Sequence, residues 1–194
     1  MLDVVFYFNF RSPYCYLASN TVWDVLDAED VNLIWKPLGG WAGRSDPERA
    51  KIKIPLVRQD IKRWAQKLGI PMVPPPITTD PTRAGAVSVL AENEGKLKDY
   101  IIAVMNAEWA EGRDIGDLEV LCDVCAGLGM EASAVIDAAR NPDNLAILDR
   151  NAEDAKNTGV FGVPTFVIGE DMFWGNDRIE FVRDHLQEQR IKQA

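Results

Sequence analysis

The chain has 194 residues, 47% of them apolar, which is enough for one domain with a real core and excludes a disordered chain. Its 21 Lys and Arg against 30 Asp and Glu leave a net charge of −9, which argues against a nucleic acid or an anionic membrane surface as the main partner. One His and three Cys exclude a His-rich metal site and a disulfide-stapled fold, and point to a reducing compartment.

The first ten residues place Asp3 where a secretory signal carries Lys or Arg, and no apolar run approaches the roughly 20 residues needed to cross a bilayer. The expectation is a soluble cytoplasmic protein. Residues 3–10 are β-branched and aromatic and read as a buried strand ending at Arg11-Ser12-Pro13. A helix follows, with Ser12 as N-cap, Pro13 at the first helical position, and Ala18, Val22, Val25 and Leu26 at helical spacing. Val31 to Pro37 form a second strand. After Gly39-Gly40 the pattern becomes helical: Val57, Ile61, Trp64 and Leu68 make an amphipathic helix closed at Gly69, and Pro71 and Pro74 to Pro76 make a stiff loop. Further helices are expected over 81–94, 97–111, 117–128, 131–140 and 143–157. Strand character returns at Val163 to Ile168 and Met172 to Trp174, around a turn at Gly169-Glu170-Asp171, before a last helix from Asp177 to Gln189. This is an α/β order, that of a thioredoxin-like fold made of residues 1–39 and 159–194 and interrupted by an all-helical domain at 40–158.

Three segments carry candidate chemistry. Ser12-Pro13-Tyr14-Cys15 lies at a strand-to-helix junction, where unpaired N–H groups favour an anion. A redox protein of this fold would have Cys at the first position; Ser12 leaves a hydroxyl that can donate to a sulfur supplied by another molecule, and is equally compatible with a plain helix cap. In Gly162-Val163-Pro164-Thr165, a cis Pro164 would leave the Val163 backbone free to pair with a peptide-like ligand, and a trans one would make an ordinary strand edge. In Trp174-Gly175-Asn176-Asp177-Arg178, Asn176 and Asp177 suit either a helix cap or the charged end of an α-amino acid.

Two further groups are read as structural. Leu118, Leu121, Cys122 and Cys125 follow helical spacing, which puts both thiols of the Cys122-x-x-Cys125 motif on one apolar face, and no second pair or nearby His completes a metal site. His185 sits with Phe181 and Val182 on a turn of the last helix, as a packed side chain rather than a base.

The runs 6–14, 60–65 (Asp-Ile-Lys-Arg-Trp-Ala), 69–71, 159–165 (Gly-Val-Phe-Gly-Val-Pro-Thr) and 173–178 (Phe-Trp-Gly-Asn-Asp-Arg) closely resemble the 2-hydroxychromene-2-carboxylate isomerases. These are relatives of the kappa-class glutathione transferases and the DsbA-like oxidoreductases, and the resemblance spans nearly the whole chain. It implies a glutathione-dependent, homodimeric isomerase that converts 2-hydroxychromene-2-carboxylate to trans-o-hydroxybenzylidenepyruvate in the breakdown of naphthalene-like aromatics. It also implies roles: Ser12 ionises the glutathione thiol, Val163 pairs with the cysteinyl unit, and Asn176 and Asp177 hold the γ-glutamyl end. A kappa-like transferase, a thiol oxidoreductase using Cys15, and a glutathione-binding regulator are the alternatives. One departure stands out, because residues 38–45 lack the Gly-Asn element usual in the family. Arg44 or Ser45 would substitute for it, and Lys36, Lys51 or Lys53 would neutralise the glycyl carboxylate.

Overall fold

A computed structural model describes residues 1–40 and 47–193. In chain order they form β1 (Asp3–Phe8), α1 (Pro13–Ser19), α2 (Trp23–Ala28), β2 (Asn32–Pro37), α3 (Pro47–Leu68), α4 (Thr82–Asn93), α5 (Leu97–Trp109), α6 (Leu118–Ala126), α7 (Ala132–Arg140), α8 (Pro142–Thr158), β3 (Thr165–Ile168), β4 (Asp171–Trp174), a 3₁₀ turn (Asn176–Arg178) and α9 (Ile179–Gln193). The strands make one mixed sheet in the order β2-β1-β3-β4. β2 runs parallel to β1, with Phe6 opposite Trp35, and β3 runs antiparallel to β1, with Phe6 opposite Phe166. β4 closes the edge as the antiparallel partner of β3. The thioredoxin-like order expected from the sequence is present, with helices from α3 to α8 between β2 and β3.

Several boundaries differ from the sequence expectation by a few residues, β3 starting at Thr165 and the last helix at Ile179, and three differences have a clear local cause. The helix after β1 is two helices: Asn20 Nδ2 and Thr21 Oγ1 donate to the carbonyls of Tyr16 and Leu17, and Ser19 Oγ donates to Tyr16, so polar side chains compete for the ladder just where α1 stops. The apolar spacing runs on through this break and hid it. α3 begins at Pro47 and continues through Pro55. Pro55 has no N–H for the carbonyl one turn back, which the largely exposed first half of α3 leaves open to water. β1 stops at Phe8, because Asn9 leaves the ladder to build the next turn.

The core is dominated by aromatic side chains projecting from β1. Phe6 stacks on Phe166 with centroids 4.4 Å apart, and Phe8 and Phe10 pack edge-on, the latter against Tyr100 of α5 at 5.7 Å. Trp35 joins the cluster and donates its indole N–H to Ser88 Oγ of α4 at 2.9 Å, which ties β2 to the helical segment through a satisfied buried polar pair. Buried residues of α4 to α7 belong to the same apolar cluster as the sheet. α8 starts on Pro142, behind the Asn141 cap, and ends at Gly159 with φ +87°, a left-handed terminator that releases the chain into the 160–164 segment beside the sheet.

Candidate active site

Asn9 organises the turn from which the site is built. Its carbonyl accepts from Ser12 N–H at 3.0 Å, its Oδ1 accepts from Arg11 N–H at 2.8 Å, and its Nδ2 donates to the Leu38 carbonyl at 3.2 Å. Ser12 is thereby fixed as the N-cap of α1, and its Oγ accepts from Cys15 N–H at 3.3 Å. The same hydroxyl donates to the Val163 carbonyl at 3.3 Å. One side chain therefore caps α1 and also bridges to the proline segment. α1 has only seven residues, so a hydroxyl aimed across the site is a more specific device here than the helix dipole.

The Val163–Pro164 bond is cis. Among the described residues the Val163 N–H makes no hydrogen bond, whereas the Pro164 carbonyl accepts from Gly175 N–H at 2.9 Å. That bond draws the Trp174-to-Arg178 turn up to the proline segment. Gly162 is dictated by contact, since a Cβ there would stand 2.6 Å from Trp174 Nε1. Trp174 and Phe161 form an aromatic pair with centroids 4.6 Å apart, and both are largely exposed. Beside Val163 opens a cavity of about 420 Å³, lined by Leu38, Ala155, Lys156, Val160 and Phe161.

In the third segment, Asn176 is nine-tenths buried and its amide makes no hydrogen bond with the described residues, while Asp177 pairs with Arg178 at 2.5 Å. The turn packs on α1. Burial, a hydrogen bond to Asp60 and the charge of Asp177 together hold the Tyr14 hydroxyl far above its ordinary ionisation range. Tyr14 donates to Asp60 Oδ2 at 3.0 Å, so two carboxylates, from α3 and from the 176–178 turn, flank one phenol next to Ser12. Three segments singled out in the sequence thus converge through Ser12–Val163, Gly175–Pro164 and Tyr14–Asp177.

Two of the three cysteines are enclosed. Cys15 is fully buried and its thiol is pushed up to about 12, chiefly by burial. Cys125 is buried in α6 and pushed up to about 12 for the same first reason, while Cys122 beside it is half-buried. His185 packs on Phe173 and faces Asp171 at 3.6 Å. Of the cations considered for the glycyl end, Lys36 is paired with Asp154 at 3.3 Å and Lys51 with Glu48 at 2.6 Å; Arg44 and Ser45 lie outside the described residues.

Tyr14, Asp60, Asn9 and Arg11 escaped sequence reasoning as site residues. Arg11 meets Glu108 of α5 at 3.5 Å, and its partner is 97 residues away, beyond any local pattern. Tyr14 and Asp60 both lie in the runs that carry the family resemblance, which was the one available signal.

Residues 3–187 match the DsbA-like thioredoxin domain. The 2-hydroxychromene-2-carboxylate isomerase of Pseudomonas putida is 31% identical over 186 residues, covering 91% of this chain and 90% of that protein. The protein of the same name from Sphingobium xenophagum is 26% identical over 188 residues, covering 93% and 96%. A solved 2-hydroxychromene-2-carboxylate isomerase structure superposes with a TM-score of 0.83 at 28% identity over 100% of both chains. The mixed sheet, its helical segment, the cis proline beside Ser12 and these full-length similarities place the chain in the 2-hydroxychromene-2-carboxylate isomerase family of DsbA-like thioredoxin-fold proteins.

Proposed function

We propose that the protein is a cytoplasmic, homodimeric, glutathione-dependent isomerase acting on 2-hydroxychromene-2-carboxylate or a close aromatic relative. The observation that carries this reading is the Ser12 hydroxyl, aimed at the Val163 carbonyl where a redox relative of this fold would need a reactive thiol. The chain's own nearest thiol, Cys15, is enclosed and protonated at neutral pH.

The site's groups fit a γ-glutamyl tripeptide. The unused Val163 N–H and its carbonyl suit the cysteinyl peptide unit, as an edge strand suits an added one. The Asn176 amide and the Asp177 carboxylate suit the α-amino-acid end, with an acceptor for the ammonium and donors for the carboxylate. Ser12 donates to the sulfur and favours its ionised form. Bound glutathione supplies a thiolate that adds to the benzylic carbon of the ring-opened benzylidenepyruvate, moves the alkene electron pair into an enolate, and leaves again after rotation about the resulting single bond. No redox change occurs and no proton is lost overall. Ser12 holds the departing sulfur as an anion, and the cleft keeps both reactants together, which removes the entropic cost of their encounter.

Calorimetric titration with glutathione, followed by an isomerisation assay with and without it, tests the reading. Binding together with glutathione-stimulated isomerisation is expected. Absence of both overturns it, and a higher rate of conjugation to a chlorodinitrobenzene-type electrophile makes the protein a transferase instead.

A further inference from the structure

Arg11 stands immediately before Ser12, and its guanidinium is built into a nearly enclosed cluster with residues of the helical segment. Nη1 lies 3.5 Å from Glu108 Oε1, long for a charge-assisted bond, and Nη2 donates to the Pro76 carbonyl at 3.1 Å. The guanidinium carbon lies 5.3 Å from the centre of the Trp109 ring. Thr79 N–H donates to the same Pro76 carbonyl, which places Thr79 in the cluster too.

Among the described residues Arg11 Nε and Thr79 Oγ1 are buried without a hydrogen-bond partner, while the Trp109 indole N–H faces the Glu108 carboxyl and favours its ionised form. Buried polar groups are satisfied in folded proteins with few exceptions, so an unpartnered guanidinium N–H beside an unpartnered hydroxyl leaves donor capacity for a polar group of something else. The guanidinium N–H is an obligate donor and the Thr hydroxyl can donate as well. Glu108, fully enclosed on α5, is shifted toward its neutral form by burial, against the opposing effects of Arg11 and the Trp109 indole, with the negative charge of Asp114 raising it further. The cluster is rich in donors, in a chain whose net charge is −9.

The cluster also has a mouth. Arg11 retains 15% side-chain exposure and Pro76 is exposed, so the guanidinium reaches the surface one residue from the hydroxyl that would hold the thiolate. We propose that Arg11 is the specificity-determining residue that receives the carboxylate of the electrophilic substrate, and that Glu108 is the positioning residue that holds its guanidinium in place. The inference rests on the isomerase reading above and adds to it the recognition of the acid group.

The test compares the carboxylate substrate with its methyl ester in the wild-type protein, Arg11→Met, Arg11→Lys, Glu108→Gln and Glu108→Leu, and in the double variant Arg11→Met/Glu108→Met. The double variant removes both buried charges together and guards against a fold lost to one stranded ion. Wild type is expected to favour the acid in kcat/KM by roughly 10- to 100-fold, the range of one or two charged hydrogen bonds. That ratio falls to near one in Arg11→Met and in the double variant, through KM for the acid, while Arg11→Lys restores part of it. Glu108→Gln keeps the preference, and Glu108→Leu raises KM for the acid with little change in kcat. Glutathione affinity, measured on the same samples, separates a loss of acid recognition from a loss of the glutathione site. An acid preference that survives in the double variant, or equal use of acid and ester by wild type, overturns the inference and leaves the glutathione site standing. Wild-type protein that binds no glutathione brings down the reading beneath it instead.

Discussion

The Ser12 hydroxyl donates to the Val163 carbonyl at 3.3 Å across 151 residues of chain, and accepts from Cys15 N–H at the same distance. The hydroxyl's single proton is thus already used within the chain. A sulfur anion arriving at Ser12 replaces the Val163 carbonyl as acceptor of the Ser12 O–H, and the carbonyl is then open to an N–H of the ligand. Binding exchanges hydrogen bonds here, so the gain lies in the charge of the new acceptor, because bonds to ions are about twice as strong as neutral ones.

Ser12→Ala removes both the donor and the cap. A hydrogen bond to an ion is worth about 1.5–3 kcal/mol, which corresponds to roughly one to two pH units in the ionisation of a bound thiol. The expected result is an upward shift of that size in the thiolate absorbance titration of bound glutathione, a turnover about 10- to 100-fold lower at neutral pH, and about 1 kcal/mol lost from folding stability through the missing cap. An unmoved titration midpoint would remove Ser12 from its role and leave it as a cap alone.

Gly175 tests how the third segment is held. Its φ is +107°, and an added Cβ would stand 2.5 Å from Asp177 Oδ1, so both backbone and side chain resist any larger residue. Gly175→Ala is expected to cost about 1–3 kcal/mol in urea denaturation. It also displaces Asp177, so calorimetry should show weaker glutathione binding. Full stability with weakened binding would mean that the turn yields without strain.

The sequence exposed what is local. Phe6 to Phe10, the Ser12-Pro13 cap and the Gly162-to-Thr165 run each declare themselves through residue type or spacing within a few positions, and the sheet and the three converging segments follow from them. Contacts that bind distant elements left no such trace. Arg11 and Glu108 lie 97 residues apart and Tyr14 and Asp60 lie 46 apart, and each residue read singly is an ordinary surface or helix residue. The break between α1 and α2 was lost for a different reason: Val22, Val25 and Leu26 keep the apolar period of a continuing helix, whereas the polar side chains of Ser19, Asn20 and Thr21 decide the backbone.

The buried thiols predict an alkaline weakness. Burial raises Cys15 and Cys125 from an ordinary 9.0 to about 12, so the folded chain holds these protons more tightly than the unfolded one. Their contribution is fully present below pH 9 and is lost as pH rises toward about 12. Denaturation midpoints of wild type should fall over that window more steeply than those of a Cys15→Ala/Cys125→Ala variant, which has a lower starting stability. In the native protein at neutral pH, a thiol reagent should label Cys122 first. Rapid labelling of Cys15 would contradict its enclosure and reopen the oxidoreductase alternative.

Asn9 joins folding to function more directly than any other residue. Its side chain accepts from Arg11 N–H at 2.8 Å and donates to the Leu38 carbonyl at 3.2 Å, while its carbonyl takes Ser12 N–H at 3.0 Å. One residue thus sets the turn that presents Ser12 and Arg11 and pins it to the end of β2. Asn9→Ala leaves the buried Leu38 carbonyl and the Arg11 N–H without these partners, which should cost about 2–3 kcal/mol in denaturation. Asn9→Asp keeps the acceptor for Arg11 N–H and loses the donor to Leu38, and places a charge at 5% exposure, so it should be destabilised most at high pH and recover as the carboxyl is protonated. In both variants kcat should fall further than glutathione affinity, because the turn aims Ser12, while Val163, Asn176 and Asp177 remain in place. A variant with lowered stability and an unchanged kcat would show that Ser12 is positioned by α1 alone.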